Sequence, residues 1–256
     1  MPRLKRPVIS FSTSKGGAGK STLAIALAGE LANEGGKIAI IDTDPQQSVA
    51  KWARKPGKPE EIDVFPALEE DSMIDLIEEC QSSHHVTIID VQGRVSEIGN
   101  TAMAWSHLVV IPLQGAGMDA DGAVETVKNV RKVERARAAE IPYATVLNRV
   151  SGAIRSRTGD SVRTEFEQHN IPILGTVLDR EAFRVMTTAG GTQHTLTKAD
   201  APGLPKAQAD TAALALAISE EVGLVKRGAG TKASDTTDEE VAAAVQAAGT
   251  VIAAAG

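Results

Sequence analysis

Apolar residues fall along this chain in short unbroken runs that alternate with longer segments of helical period. Val8-Ile9-Ser10-Phe11, Ile38–Ile41, Val86–Ile89, Leu108–Ile111, Tyr143–Leu147 and Ile173–Val177 are apolar and partly β-branched, as strands buried on both faces should be. Ile62–Phe65 is a weaker seventh run. Leu23, Leu27 and Leu31 recur every four residues with alanines between them, and Gly35-Gly36 follows; this predicts a helix and its end. Further helices are predicted over residues 47–54, 69–81, 95–104, 118–138, 156–169 and 206–225. The alternation predicts an α/β fold, a doubly wound, mostly parallel sheet with helices on both faces. Residues 1–227 are expected to form this single domain. From 228 the composition changes: Gly228–Thr237 is rich in Gly, Ser and Thr, and an alanine-rich end follows Asp238-Glu239-Glu240. Alanine favours helix but supplies little to bury, so residues 228–256 are expected to be a flexible, weakly helical tail. No internal repeat is visible.

Composition narrows the picture. A chain of 256 residues can bury one large core. It has no apolar run of about eighteen residues, so no membrane span is expected. The basic stretch Met1–Arg6 is followed by too few apolar residues for a signal peptide. Cys80 is the single cysteine; an intrachain disulfide and a cysteine-rich metal site are excluded, and a cytoplasmic setting fits. The formal net charge is −6, so contact with nucleic acid would need a local basic patch. Aromatic residues make up only 3%, which argues against recognition of single strands by base stacking.

The segment between the first strand and the first helix carries the chemistry. A P-loop requires Gly, four residues of any kind, then Gly-Lys-Ser/Thr. Here the first position is Ser14, followed by Lys15-Gly16-Gly17-Ala18-Gly19-Lys20-Ser21-Thr22. Three glycines without Cβ let the backbone curl and turn its N–H groups toward phosphate oxygens. The helix opening near Lys20 adds its positive end. Lys20 is placed to reach the β and γ phosphates, and the Ser21 hydroxyl to bind Mg²⁺. A second strand runs into Asp42-Thr43-Asp44-Pro45-Gln46, and a third ends in Asp90. Asp90 reads as the carboxylate that holds Mg²⁺, while Asp42 and Asp44 can serve the same metal–phosphate site.

The combination Lys15–Ser21, Asp42–Gln46 and Asp90 resembles the ParA/MinD group of P-loop ATPases over roughly residues 7–225. It is most similar to the small ParA proteins that lack an N-terminal DNA-reading domain. The resemblance implies ATP and Mg²⁺ as cofactors, and Lys15 as the signature lysine that crosses an ATP-sandwiched homodimer to the partner's nucleotide. It implies that Asp44 positions the attacking water, that Asp42 supports Mg²⁺, and that Asn148 reads adenine. It also implies non-specific, ATP-dependent DNA binding and a nucleoid-associated ATP form. A ParB-like or relaxosome-type partner would activate hydrolysis.

Two segments depart from the family pattern: Val91-Gln92-Gly93-Arg94 follows Asp90 without a Pro, and Leu178-Asp179-Arg180 replaces Ile-Pro-Arg. Arg180 and Arg184, four apart on a predicted short helix, are the DNA-binding candidates. Lys128, Arg131, Lys132 and Arg135 form a second basic row, and Arg155, Arg157 and Arg163 a third. DNA partitioning is the expected role. The alternative is an accessory ATPase of conjugative or T-DNA transfer that recruits a relaxase complex, to which Trp52 and Asp179–Met186 bear a looser likeness. A MinD-like membrane-cycling ATPase needs a C-terminal helix with bulky apolar residues opposite lysines, and Val241–Ala255 is small and almost uncharged. An iron–sulfur reductase with the same loop needs more cysteines than one.

Overall fold

The computed structural model describes residues 6–114, 120–151, 166 and 171–225. In chain order these form β1 (Val8–Phe11), α1 (Lys20–Asn33), β2 (Ile38–Asp42), α2 (Ser48–Ala53), β3 (Ile62–Pro66), α3 (Glu70–Ser83), β4 (Val86–Asp90), α4 (Glu97–Trp105), β5 (Leu108–Gln114), α5 (Ala120–Arg137), β6 (Tyr143–Val150), β7 (Ile173–Leu178), α6 (Glu181–Ala189) and α7 (Leu204–Glu221). The seven strands make one parallel sheet in the order β3-β2-β4-β1-β5-β6-β7. β1 therefore sits between β4 and β5, where the winding reverses, and the chain leaving it emerges in the crevice at the carboxyl ends of the strands.

Alternation along the strands divides the core. Ile9, Phe11, Ile38, Ile40, Ile88 and Val110 face α1, α2, α6 and α7. Val8, Ala39, Ile41 and Ile89 face α3 and α4, and Val109, Ile111 and Leu113 face α5. Helix α1 is buried almost all round, with Leu23, Ile25 and Leu27 each at 1% exposure, which is why its sequence is leucine and alanine rather than amphipathic. Each such side chain contributes about 1.5–3 kcal/mol.

β5 continues through Pro112 to Gln114, although a proline should interrupt a central strand. Pro112 shares its hydrogen-bonding side with Val110, whose carbonyl takes the Ser12 N–H at 3.0 Å. β1 ends at Phe11, so the N–H that Pro112 lacks has no ladder partner to lose. β6 also runs past Leu147 to Val150 through a bulge, with Arg149 at φ 53. The predicted helix over 156–169, the row Arg155, Arg157 and Arg163, and the tail from 228 lie outside the described residues. Phe166 is described, and it packs with Leu147 and Val150.

The segment after α6 locks α1 in place. Glu30, 3% exposed, accepts from Thr211 Oγ1 at 2.7 Å and pairs with His194 Nε2 at 2.8 Å. Gln193 Nε2 donates to the Ala26 carbonyl at 2.9 Å, and the Trp52 indole donates to the Gly191 carbonyl at 2.9 Å. The approach is close at Gly29, where a Cβ would lie 2.8 Å from Thr192 Cβ and 2.9 Å from Thr192 Cγ2. A helical Gly→Ala change normally stabilises by about 1 kcal/mol. Here overpacking, typically ~1–3 kcal/mol, outweighs it: Gly29→Ala is expected to lower stability by about 1 kcal/mol in urea unfolding, and a stabilised variant would show that this packing is loose.

Candidate active site

The loop between β1 and α1 is shaped by its glycines and held from three sides. Gly17 and Gly19 take φ 81 and φ 91, a region open to glycine at little cost. A Cβ on Gly19 would also overlap Asn148 Nδ2. Asn148 is 2% exposed; its amide donates to the Ala18 carbonyl at 2.9 Å and its oxygen accepts the Arg149 N–H at 3.0 Å. Gln114, at the end of β5, donates to the Gly17 carbonyl at 2.7 Å. On the third side, α5 grips the entrance to the loop. Ser14 N–H donates to Thr126 Oγ1 at 3.0 Å, while Ser14 Oγ and Thr126 Oγ1 both donate to the Gly122 carbonyl, at 3.2 and 2.7 Å. The stem of Lys15 lies across Gly122, where a Cβ would meet its Cδ at 3.0 Å.

The carboxylates divide into two kinds. Asp42 Oδ2 accepts the N–H groups of Val49 and Ala50 at 2.9 Å each, and its Oδ1 accepts that of Asp44 at 3.1 Å. It thus caps the start of α2, whose backbone donors would otherwise be orphaned. Burial raises its pKa, and those three backbone donors oppose the rise. Asp90 is 1% exposed. Its Oδ2 accepts from Ser21 Oγ at 2.6 Å, whereas its Oδ1 is buried with no partner. Burial pushes its pKa up to about 7, against the opposing Ser21 hydroxyl and Lys20 charge. Lys20, 7% exposed, is shifted down by burial, with Asp90 and Asp44 acting in the other direction. A buried carboxylate oxygen without a partner, beside a hydroxyl and an ammonium, fits a divalent cation with a phosphate ligand.

These groups open on a cleft of about 670 Å³ lined by the P-loop, Asp44, α2 and the loop after β4. Asp44 is half-buried there, and its Oδ1 accepts the Gln46 N–H at 2.8 Å. Gly16, Gly17, Gly19, Lys20, Ser21 and Thr22 line it. Lys15 instead borders a smaller hollow with Pro112 and Gln114. Asn148 lies beneath the loop, bonded to its backbone.

The two DNA-binding candidates do not share a helix face. Arg180 is the extended N-cap of α6, φ −128 and ψ 145, because its guanidinium is held by Asp210 of α7 through bonds of 2.7 and 2.9 Å. Arg184 lies within α6 and pairs with Asp179 and Glu181 at 2.9 Å each. Lys128, Arg131, Lys132 and Arg135 are all exposed on α5. Glu134, their acidic neighbour, turns away to accept the Ile141 N–H at 2.9 Å.

Sequence reasoning missed Thr126 and Gly122, which are ordinary helix residues until the fold brings them to Ser14. It also missed the contact made by Gly93, where a Cβ would lie 3.2 Å from Lys20 Nζ and 3.3 Å from Gly16 Cα. Its signal was the departure at 91–94 from the family pattern.

The chain matches the family model for VirC1 protein over residues 7–225. It is 30% identical to the ParA protein of Rhizobium radiobacter over 217 residues, covering 84% of this chain and 97% of that one. With the virC1 protein of the same organism it shares 26% over 195 residues, 74% of this chain and 84% of that one. Its fold is similar to that of a variant of McdA from Cyanothece in complex with ATP, with TM-score 0.67, 15% identity, and 86% and 97% of the two chains covered.

Because burial holds the Asp90 proton to about 7, an unfolded chain loses it first as pH rises from about 4. This carboxyl therefore favours the fold at low pH, and that contribution is gone above about 7. Asp90→Asn removes the penalty. In nucleotide- and metal-free protein it is expected to raise the thermal midpoint at pH 8, at about 2–4 °C for each kcal/mol recovered, and to raise it clearly less at pH 5. A rise of equal size at both pH values would contradict this origin of the effect in the buried carboxyl.

Proposed function

The chain belongs to the VirC1 family of ParA/MinD-type P-loop ATPases, and from that premise we propose that it hydrolyses ATP with Mg²⁺, pairs with a second copy when ATP is bound, and holds duplex DNA in that state. The observation that carries the reading is Ser21 Oγ on Asp90 Oδ2 at 2.6 Å with Asp90 Oδ1 buried and unpartnered. Ser21 and Asp90 would hold Mg²⁺, directly or through water. The ion would supply positive charge to the β and γ phosphate oxygens.

The chain's own groups do the rest. The backbone N–H groups of Gly16–Lys20 cradle the phosphates, and Lys20 reaches the terminal ones. Asp42 keeps α2, and with it the Asp44 turn, at the rim of the cleft. Asp44 orients the attacking water. Lys15 leaves its rest on Gly122 and reaches the second protomer's nucleotide, so that pairing and ATP occupancy become one event. Asn148 fixes the loop that faces the base, and reading of adenine by its amide is part of the same proposal.

DNA contact falls to exposed cations. Arg180 is committed to Asp210, so it supports the surface more than it faces phosphate. Arg184 and the α5 row Lys128, Arg131, Lys132 and Arg135 are the better candidates. Contacts of this kind are phosphate-driven, salt-dependent and blind to sequence. Pairing doubles them, which is how ATP would control binding. Plasmid or chromosome partitioning, with a ParB-like activator in the cytoplasm, is the role we infer. The match to the VirC1 family model favours a second reading, an accessory ATPase of conjugative or T-DNA transfer that recruits a relaxosome-type complex. Among the described residues no helix is long and apolar enough to cross a membrane.

Two variants test the assignment. Lys20→Ala is expected to abolish nucleotide binding. Asp44→Ala is expected to retain ATP and to shift duplex DNA in a gel, while turnover falls by about a hundredfold or more. Normal hydrolysis by Asp44→Ala would refute the role of Asp44, and DNA retention that is equal with ATP, with ADP and without nucleotide would remove the switch.

A further inference from the structure

The cleft carries more positive charge than the P-loop accounts for. Besides Lys20 it is lined by Lys51, Lys55, Arg94 and Arg149, with Asp44 as the acid among its lining residues. Lys55 is occupied, donating to the carbonyls of Thr187 and Thr188 at 2.7 and 2.9 Å. Arg94 is exposed, and among the described residues no carboxylate pairs with it.

Its position is fixed from both sides. Val91 N–H donates to the Phe11 carbonyl at 3.1 Å, so the loop after β4 starts against the end of β1. Gly93 then passes so close to the P-loop that a Cβ there would meet Lys20 Nζ at 3.2 Å and Gly16 Cα at 3.3 Å. Arg94 N–H donates to the Gln92 carbonyl at 2.9 Å. Two residues later Ser96 caps α4 by accepting the Gly99 N–H at 3.1 Å. Arg94 thus stands one residue beyond the contact with the lysine that serves the terminal phosphates, on a short arm anchored at each end. An arginine in a cleft built for polyanions, on an anchored arm and without a carboxylate partner among the described residues, is available to phosphate.

We propose that Arg94 is a catalytic residue of the ATPase, contacting the γ-phosphate oxygens of the nucleotide bound in its own chain. This rests on the ATPase reading above. In the reaction a water oxygen bonds to the γ phosphorus as the bond to the β–γ bridging oxygen breaks, giving ADP and inorganic phosphate, and the water proton leaves to solvent. The guanidinium meets charge that gathers on the γ oxygens during that exchange. It touches nothing that ADP retains, so it separates ATP from ADP as well as speeding turnover.

The test uses the full chain, calorimetric titration with ATPγS and with ADP in the presence of Mg²⁺, and steady-state turnover of ATP. Arg94→Ala is expected to weaken ATPγS about tenfold, leave ADP unchanged and lower kcat about ten- to a hundredfold. Arg94→Lys keeps the charge but loses the planar fork, so it should recover ATPγS binding in part while kcat stays low. Unchanged binding and turnover in Arg94→Ala would overturn the proposal, and so would equal weakening of both nucleotides, which places the contact on phosphates they share. A wild-type chain that binds neither nucleotide would overturn the ATPase reading itself.

Discussion

The hydrogen bond from Ser21 to Asp90 ties the first turn of α1 to the last residue of β4, and the geometry of the site descends from it. Parallel pairing puts Phe11 opposite Asp90, so the strand that releases the P-loop and the strand that delivers the carboxylate end at the same level. Thr43 bonds the Asp90 carbonyl through its N–H and its hydroxyl, at 3.1 and 3.0 Å, which brings the Asp42–Asp44 turn to the same place. Burial then disfavours charge on both Lys20 and Asp90. Neither is satisfied by the other alone, since the carboxylate keeps one oxygen without a partner. Such a site is held in a state that a polyanion and a cation together relieve.

Helix α5 links this centre to the surface. Its first turns hold Ser14 and carry the stem of Lys15, and its exposed side presents four basic residues. A movement of Lys15 off Gly122 is therefore a change in the packing of the helix that bears the cationic row. If the cationic row meets DNA as proposed, that one element would be path enough to couple it to the nucleotide. On the opposite side α1 is tied by Glu30 to Thr211 and His194.

Most of the fold was legible because its strands are buried on both faces and read as continuous apolar runs. The limits came where local signals yield to long-range contacts. The apolar run Leu108–Ile111 stops short of Pro112, yet the strand continues through it to Gln114 because β1 has already departed at that level. Arg180 looked helical by spacing, yet Asp210, thirty positions away, holds it outside the helix. Within the site, the glycines, Lys20, Ser21 and Asp90 could be placed from motif and strand ends alone. Asp42 and Asn148 were found as residues, but their side chains serve the backbone of α2 and of the P-loop. Thr126, Gly122 and Gly93 carry no signal until the chain is folded, because what matters is the space that they leave or the partner that they meet.

In the proposed cycle Lys15 makes occupancy by a triphosphate and pairing of two copies a single event. The decisive experiment is sedimentation of the full chain with ATPγS and Mg²⁺, wild type beside Lys15→Ala. The wild type is expected to double in mass while Lys15→Ala stays monomeric at saturating nucleotide. A Lys15→Ala chain that doubles in mass at the same protein concentration would contradict it.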